Sequence, residues 1–209
     1  MEKKLLRITY ANSTLPESYV FDGGKEDKRI PIIFSIFLIE INGRKILVDA
    51  GCDTMPGFEM QNFKSPVLAL EEKGVQAKDI TDVILTHAHH DHIDAVHYFE
   101  NALIHIAQEA YEKGRKYIPE HFRVNAFQYE FRLCEEVRIV KIGGHSRGSC
   151  IVEVTIDGKE YVLCADECYV HYNLANHIPT AKRYSLERSQ YFIDKYSNSR
   201  YICLLSHEE

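Results

Sequence analysis

The run His87-Ala88-His89-His90-Asp91-His92, directly after the apolar segment Val83-Ile84-Leu85-Thr86, constrains the fold more than any other feature of this chain. Imidazoles and a carboxylate packed into six residues form a ligand set for borderline-soft cations such as Zn2+. From an extended turn His87 and His89, two apart, reach one ion, while Asp91 and His92 point elsewhere and reach a second. The spacing therefore predicts two metals side by side. The bland alternative is a histidine-rich surface turn that binds metal adventitiously, and three further segments weigh against it. His145 follows Val137-Arg138-Ile139-Val140-Lys141-Ile142, Asp166 follows Tyr161-Val162-Leu163-Cys164-Ala165, and His207 follows Tyr201-Ile202-Cys203-Leu204-Leu205-Ser206. Read singly they are a loop histidine, a turn former and a terminal histidine; jointly they are ligand types at strand ends. In layered α/β architectures sites gather beyond strand ends, where loops converge over a rigid sheet edge.

That order of residues resembles the signature of the metallo-β-lactamase superfamily, His-X-His-X-Asp-His followed by a lone His, a lone Asp and a lone His. The resemblance implies an α+β fold, a four-layer αββα sandwich. It also implies that His87, His89 and His145 hold one ion, that Asp91, His92 and His207 hold the other, and that Asp166 bridges them. The implied cofactor is two Zn2+, with iron or manganese as the other candidates. Asp49, in Ile46-Leu47-Val48-Asp49-Ala50-Gly51, fits the family's early Val-Asp-X-Gly motif, in which the carboxylate supports the ligands from behind. On its own it is an ordinary turn aspartate.

Composition agrees with one compact catalytic domain over residues 1–209, because a chain of that length with 45% apolar residues buries a sizeable core and leaves little for a second module. The formal charge of -6 gives no basic footprint, which argues against nucleic acid and membranes as partners and leaves a small molecule. It sets no oligomeric state. No apolar stretch reaches spanning length, and Met1-Glu2-Lys3-Lys4-Leu5-Leu6-Arg7 turns polar instead of forming a signal-peptide core, so a cytoplasmic protein is expected. The six cysteines (Cys52, Cys134, Cys150, Cys164, Cys168 and Cys203) are dispersed and read as buried free thiols. Cys168, although close to Asp166, is expected not to coordinate. His90, His97 and His105 read as packing or surface histidines.

Ile30 to Val48 reads as a hairpin about Asn42-Gly43, and a second hairpin is centred on Asp157-Gly158. Glu40-Ile41-Asn42-Gly43-Arg44-Lys45 and Thr155-Ile156-Asp157-Gly158-Lys159-Glu160 look like corresponding positions, a hint of two similar halves. Helices are expected over Pro66 to Lys73 stopped by Gly74, Asp91 to Glu100, Gln108 to Lys113 stopped by Gly114, and Ser185 to Tyr196. Ser185 caps the last, whose inner face is Leu186, Ser189, Gln190, Ile193 and Tyr196. Pro16 to Arg29, with Gly23-Gly24 amid charges, reads as a mobile loop over the pocket.

Two adjacent cations make hydroxide available near neutral pH and polarise a carbonyl or phosphoryl oxygen, so hydrolysis is the expected chemistry. Asp91 is the candidate acid by position. Asp166-Glu167-Cys168-Tyr169 resembles the N-acyl homoserine lactonase branch, in which a tyrosine at the Tyr169 position hydrogen-bonds the substrate; the plain alternative is an aromatic packed under a loop. Pro31 to Glu40 also resembles that branch's early apolar strand. The implied reaction opens the lactone ring of N-acyl homoserine lactones or cleaves a related ester. The chain departs from the branch at Ser146-Arg147-Gly148-Ser149, where a Thr-Pro-Gly element is usual; Arg147 is either a site for an anionic substrate group or an exposed loop arginine. A glyoxalase II-like thioesterase is the alternative hydrolase, disfavoured because that group's glutathione-binding helical region follows the final ligand, where only Glu208 and Glu209 follow His207. A diiron redox or metal-binding protein is the alternative of another class, disfavoured because Asp91 stands where that group has Glu.

Overall fold

The turn signals set the strand order. In the computed structural model, which describes residues 3–57 and 59–209, β1 (Lys4–Pro16) leads through a one-turn helix α1 (Glu17–Val20) to β2 (Arg29–Ile41), which folds back into β3 (Arg44–Val48). Asn42 and Gly43 take φ of 50° and 79°, the paired positive angles that suit the twist of a two-residue hairpin. Helix α2 (Pro66–Glu71), β4 (Asp82–Leu85), α3 (His90–Ile93), β5 (Leu103–Ala107), α4 (Gln108–Gly114) and β6 (Arg123–Phe127) complete a six-stranded sheet in chain order. β3 to β6 pair in parallel. β4 is buried along its whole length, as strands covered on both faces are.

The second sheet reuses this scheme. β7 (Glu130–Arg132), β8 (Val137–Lys141), β9 (Cys150–Ile156) and β10 (Lys159–Leu163) form an antiparallel meander, and after α5 (His171–Ala175) and α6 (Leu186–Tyr196), β11 (Tyr201–Leu204) pairs in parallel with β10. Asp157 and Gly158 repeat the turn at φ of 50° and 76°. Each sheet thus holds a hairpin whose second strand is flanked by a parallel strand, which supports the two similar halves hinted at by the sequence. The chain separates into two compact units, one comprising the residues up to Ser13 with Phe34–Gln128, the other Thr14–Ile33 with Tyr129–Glu209. Mixed helix and strand in two sheets is the expected α+β class. Among the described residues no helix is long and apolar enough to cross a membrane.

In the second unit α6 buries Ser189, Phe192, Ile193 and Tyr196, a spacing that lines one helical face. Phe192 and Ile193 join Ile142, Ile151, Val162 and Leu205 in one core, each contributing roughly 1.5–3 kcal/mol by burial. Ser185 caps the helix as expected, accepting from Arg188 N. The inner face is rotated from the expected one: Leu186 is 54% exposed, and Phe192 fills the core instead.

Three further expectations need correction. The helix expected over Asp91 to Glu100 is a single turn, α3, followed by a 3₁₀ turn over Asp94–Tyr98. The loop after β3 enters its hydrogen-bond ladder, with Ala50 N donating to His92 O at 2.8 Å and Ala95 N donating to Gly51 O at 3.1 Å. Gly114 is the last residue of α4, not a stop beyond it; a Cβ there would stand 2.7 Å from Ile93 Cδ1 and 3.0 Å from Ala88 Cβ, so its smallness lets α4 pack on the histidine motif. Pro16 to Arg29 is tied down within the second unit: Lys28 pairs with Glu17, Asp22 with Arg183 at 2.6 Å, and Phe21 packs on Tyr172 at 4.7 Å. All six cysteines are free; Cys134 and Cys203 are part-exposed, the other four buried.

Candidate metal centre

In the first unit the candidate ligands are delivered by the end of β4. Thr86, His87 and Ala88 continue from it, His89 takes extended angles (φ -77°, ψ 152°) at the head of α3, and Asp91 and His92 sit on that turn. Asp49, just past β3 at φ 60°, organises the group from behind. Its Oδ1 accepts from Thr86 N at 2.8 Å, and its Oδ2 accepts from Thr86 Oγ1 at 2.9 Å and from His92 Nδ1 at 2.7 Å. With its own proton given to Asp49, the Thr86 hydroxyl accepts from His87 Nδ1 at 3.1 Å. Both imidazoles therefore carry hydrogen on Nδ1, which makes Nε2 the basic nitrogen of each ring. His87 and His92 are buried with ring centroids 4.1 Å apart, and His87 and His89 lie 4.6 Å apart edge to face. Tyr10 Oη fixes the turn by donating to Asp91 O at 3.3 Å. Gly51, at φ 75°, lets α2 and Tyr10 close in, since a Cβ would meet Pro66 Cγ at 2.6 Å.

In the second unit three strand ends deliver His145, Asp166 and His207. His145 Nδ1 donates to Lys182 O at 2.9 Å and His207 Nδ1 donates to Ile33 O at 3.0 Å, so these rings too are basic at Nε2. Those Nε2 atoms face Asp166, His207 at 3.0 Å from Oδ1 and His145 at 3.3 Å from Oδ2. Neutral imidazole lone pairs opposed to a carboxylate repel unless a proton or a cation lies among them, so this donor set fits a metal ion. Tyr169 is half-buried, its phenol donating to Asp166 Oδ2 at 2.8 Å and its ring stacked on His207 at 5.0 Å. Glu167, buried beside Asp166 in the turn Ala165–Glu167, accepts from Gly144 N, His145 N and Ser149 Oγ. Burial pushes its carboxyl up to about 7, against the pull of those three donors.

All seven expected ligands are among the candidate metal donors of the described residues. Cys168 is not; its thiol donates to Val170 O at 3.3 Å. Arg147 is an exposed loop arginine. Of the set-aside histidines, His105 is buried against Asp82 at 3.0 Å, while His90 bonds Thr54 O at 2.8 Å. Sequence reasoning missed Thr86, Glu167 and the two carbonyls that orient His145 and His207. Thr86 carried a signal, as a polar residue between an apolar run and a candidate ligand.

Comparison with known proteins agrees with this geometry. A sequence profile of the metallo-beta-lactamase superfamily matches residues 33–178. No curated protein sequence matches the chain. Among solved structures, it is similar to an N-acyl homoserine lactone hydrolase with the product N-hexanoyl-L-homoserine at its catalytic metal centre (TM-score 0.86, 19% identity, covering 98% of this chain and 93% of that one). It is also similar to a probable metal-dependent hydrolase from Staphylococcus aureus (TM-score 0.84, 17% identity, covering 100% and 91%). A third is AidC, a dizinc quorum-quenching lactonase in complex with a product (TM-score 0.77, 19% identity, covering 99% and 88%). At these identities the likeness establishes the fold.

Proposed function

Because the chain belongs to the metallo-β-lactamase superfamily, we propose that it is a dinuclear metal-dependent hydrolase, one catalytic module over residues 1–209, that opens the ring of an N-acyl homoserine lactone or cleaves a related carboxylic ester. The observation that carries the metal reading is the pair of imidazole Nε2 atoms facing the Asp166 carboxylate. His87, His89 and His145 would hold one ion and Asp91, His92 and His207 the other, with Asp166 shared. In support, all seven residues are candidate metal donors among the described residues. Zinc is the proposed metal, in line with the dizinc neighbour, with iron and manganese as alternatives. When bound, such a pair lets water act as a nucleophile near neutral pH and polarises a substrate carbonyl.

The remaining steps fall to the chain's own side chains. Water adds its oxygen to the ester carbonyl carbon, the ring C–O bond breaks, and the departing alkoxide must gain a proton. Asp91, whose Oδ2 lies 3.5 Å from His92 Nε2, is the proposed proton carrier. Tyr169, whose phenol points at Asp166, is proposed to redirect that hydrogen bond to the substrate oxygen as charge develops there. The product held at the metal centre of the lactone hydrolase supports a lactone substrate. A hydrolysis panel of acyl lactones, glutathione thioesters and phosphodiesters on metal-loaded protein tests this. Lactone cleavage is expected; protein inert to lactones but fast on thioesters would overturn the substrate while leaving the metal reading intact.

A further inference from the structure

Glu167 is fully buried, and a carboxylate survives in the interior only where hydrogen bonds replace water. Its donors all come from one loop: Gly144 N at 3.1 Å to Oε1, His145 N at 3.2 Å to Oε1 and 3.1 Å to Oε2, and Ser149 Oγ to Oε1. The Ser149 hydroxyl also lies 2.8 Å from Ser146 O, and Glu167 in its ionised form is the stronger acceptor of the two. The loop is shaped for this contact, since a Cβ on Gly144 would stand 2.3 Å from Glu167 Oε2. Asp166 and Glu167 share the turn Ala165–Glu167, entered at Ala165 with φ 46°. Their side chains diverge, Asp166 toward the Nε2 atoms of His145 and His207, Glu167 beneath the backbone that carries His145.

We propose that Glu167 is a positioning residue that fixes His145 relative to Asp166 and so sets the affinity of the ion His145 holds, an inference that rests on reading those two residues as metal ligands. Glu167→Gln keeps the size of the side chain but removes its charge and turns one acceptor oxygen into an NH2, which faces His145 N from either oxygen's place. The test is a stepwise Zn2+ titration of metal-free wild type and variant against a chromophoric chelator, with the visible spectrum of Co2+-loaded protein as the second readout. Loss of an outer partner of a ligand lowers metal affinity by about 10- to 100-fold, so one of the two ions should weaken by that factor and its Co2+ band should shift, while the other ion binds as in wild type. Equal weakening of both ions is what general loosening of the fold would give, and that result, or no change in either, overturns the proposal. Should the variant fail to fold, Ser149→Ala, which removes one donor and leaves the carboxylate, is expected to weaken the same ion by roughly 2- to 10-fold; two unchanged affinities would overturn it. Wild type that saturates below two ions would overturn the metal reading and this inference together.

Discussion

Asp49→Asn tests what the Asp49 carboxylate contributes to the metal centre, because it keeps the shape of the side chain while reversing two hydrogen-bond polarities and removing one charge. Asparagine tolerates the left-handed backbone at φ 60° where alanine would add strain, and its amide oxygen can still accept from Thr86 N, now at 2.8 Å. The new NH2, however, stands where Oδ2 accepts from His92 Nδ1 at 2.7 Å and Thr86 Oγ1 at 2.9 Å. To accept from that NH2, His92 must move its hydrogen from Nδ1 to Nε2, the nitrogen needed for metal. His87 is affected less, through the reversed Thr86 hydroxyl. Metal affinity should fall about 10- to 100-fold, equivalent to about 1.4–2.7 kcal/mol. Since binding stabilises the folded state through the same dissociation constant, the stability gap between metal-loaded and metal-free protein should shrink by that amount. The strained buried contacts should lower metal-free stability by about 1–3 kcal/mol. Urea unfolding with and without Zn2+, together with the titration, reads both quantities. A variant with an unchanged gap would refute the view that Asp49 sets the histidine tautomers.

Tyr169→Phe should keep fold and metal content yet lose on the order of 10- to 1,000-fold in kcat/KM on the best substrate of the panel; undiminished turnover would reduce Tyr169 to a packing aromatic. Asp82→Ala should cost about 1–3 kcal/mol in urea unfolding at neutral pH, as Asp82 accepts from Arg44 at 3.0 Å, Thr81 at 2.7 Å and His105 at 3.0 Å. Although burial opposes it, hydrogen bonds from His105 and Thr81 and the charge of Arg44 hold the Asp82 carboxyl below its ordinary range. Its contribution is therefore full above a pH of about 4 and fades as the pH falls below that, and the difference between variant and wild type should narrow in acid. Ser185→Ala removes the cap of α6 and should cost about 0.5–2 kcal/mol by the same assay.

The parts of the fold written in local chemistry were legible. Asn42-Gly43 and Asp157-Gly158 require positive φ and form the two expected turns, and Ser185 starts α6. The seven candidate ligands could be found because each is a polar residue of coordinating type placed at or just beyond the end of an apolar run. What sequence could not show were partners brought in from far along the chain. The helix expected through Glu100 stops after Ile93 because Ala50 and Gly51, some forty residues earlier, take its backbone hydrogen bonds. The segment from Pro16 to Arg29 is polar and glycine-containing, yet Arg183, Tyr172 and Asn173 fasten it. Glu167 read as one more acid beside a ligand, since nothing local announces that a loop over twenty residues away will donate to it.

Elemental analysis of purified, metal-replete protein at matched concentration tests the dinuclear centre most directly. Two transition-metal ions per chain in wild type, falling in Asp166→Ala with loss of hydrolysis, is the predicted result. Saturation near one ion, or an Asp166→Ala protein that keeps its metal and its activity, would contradict it.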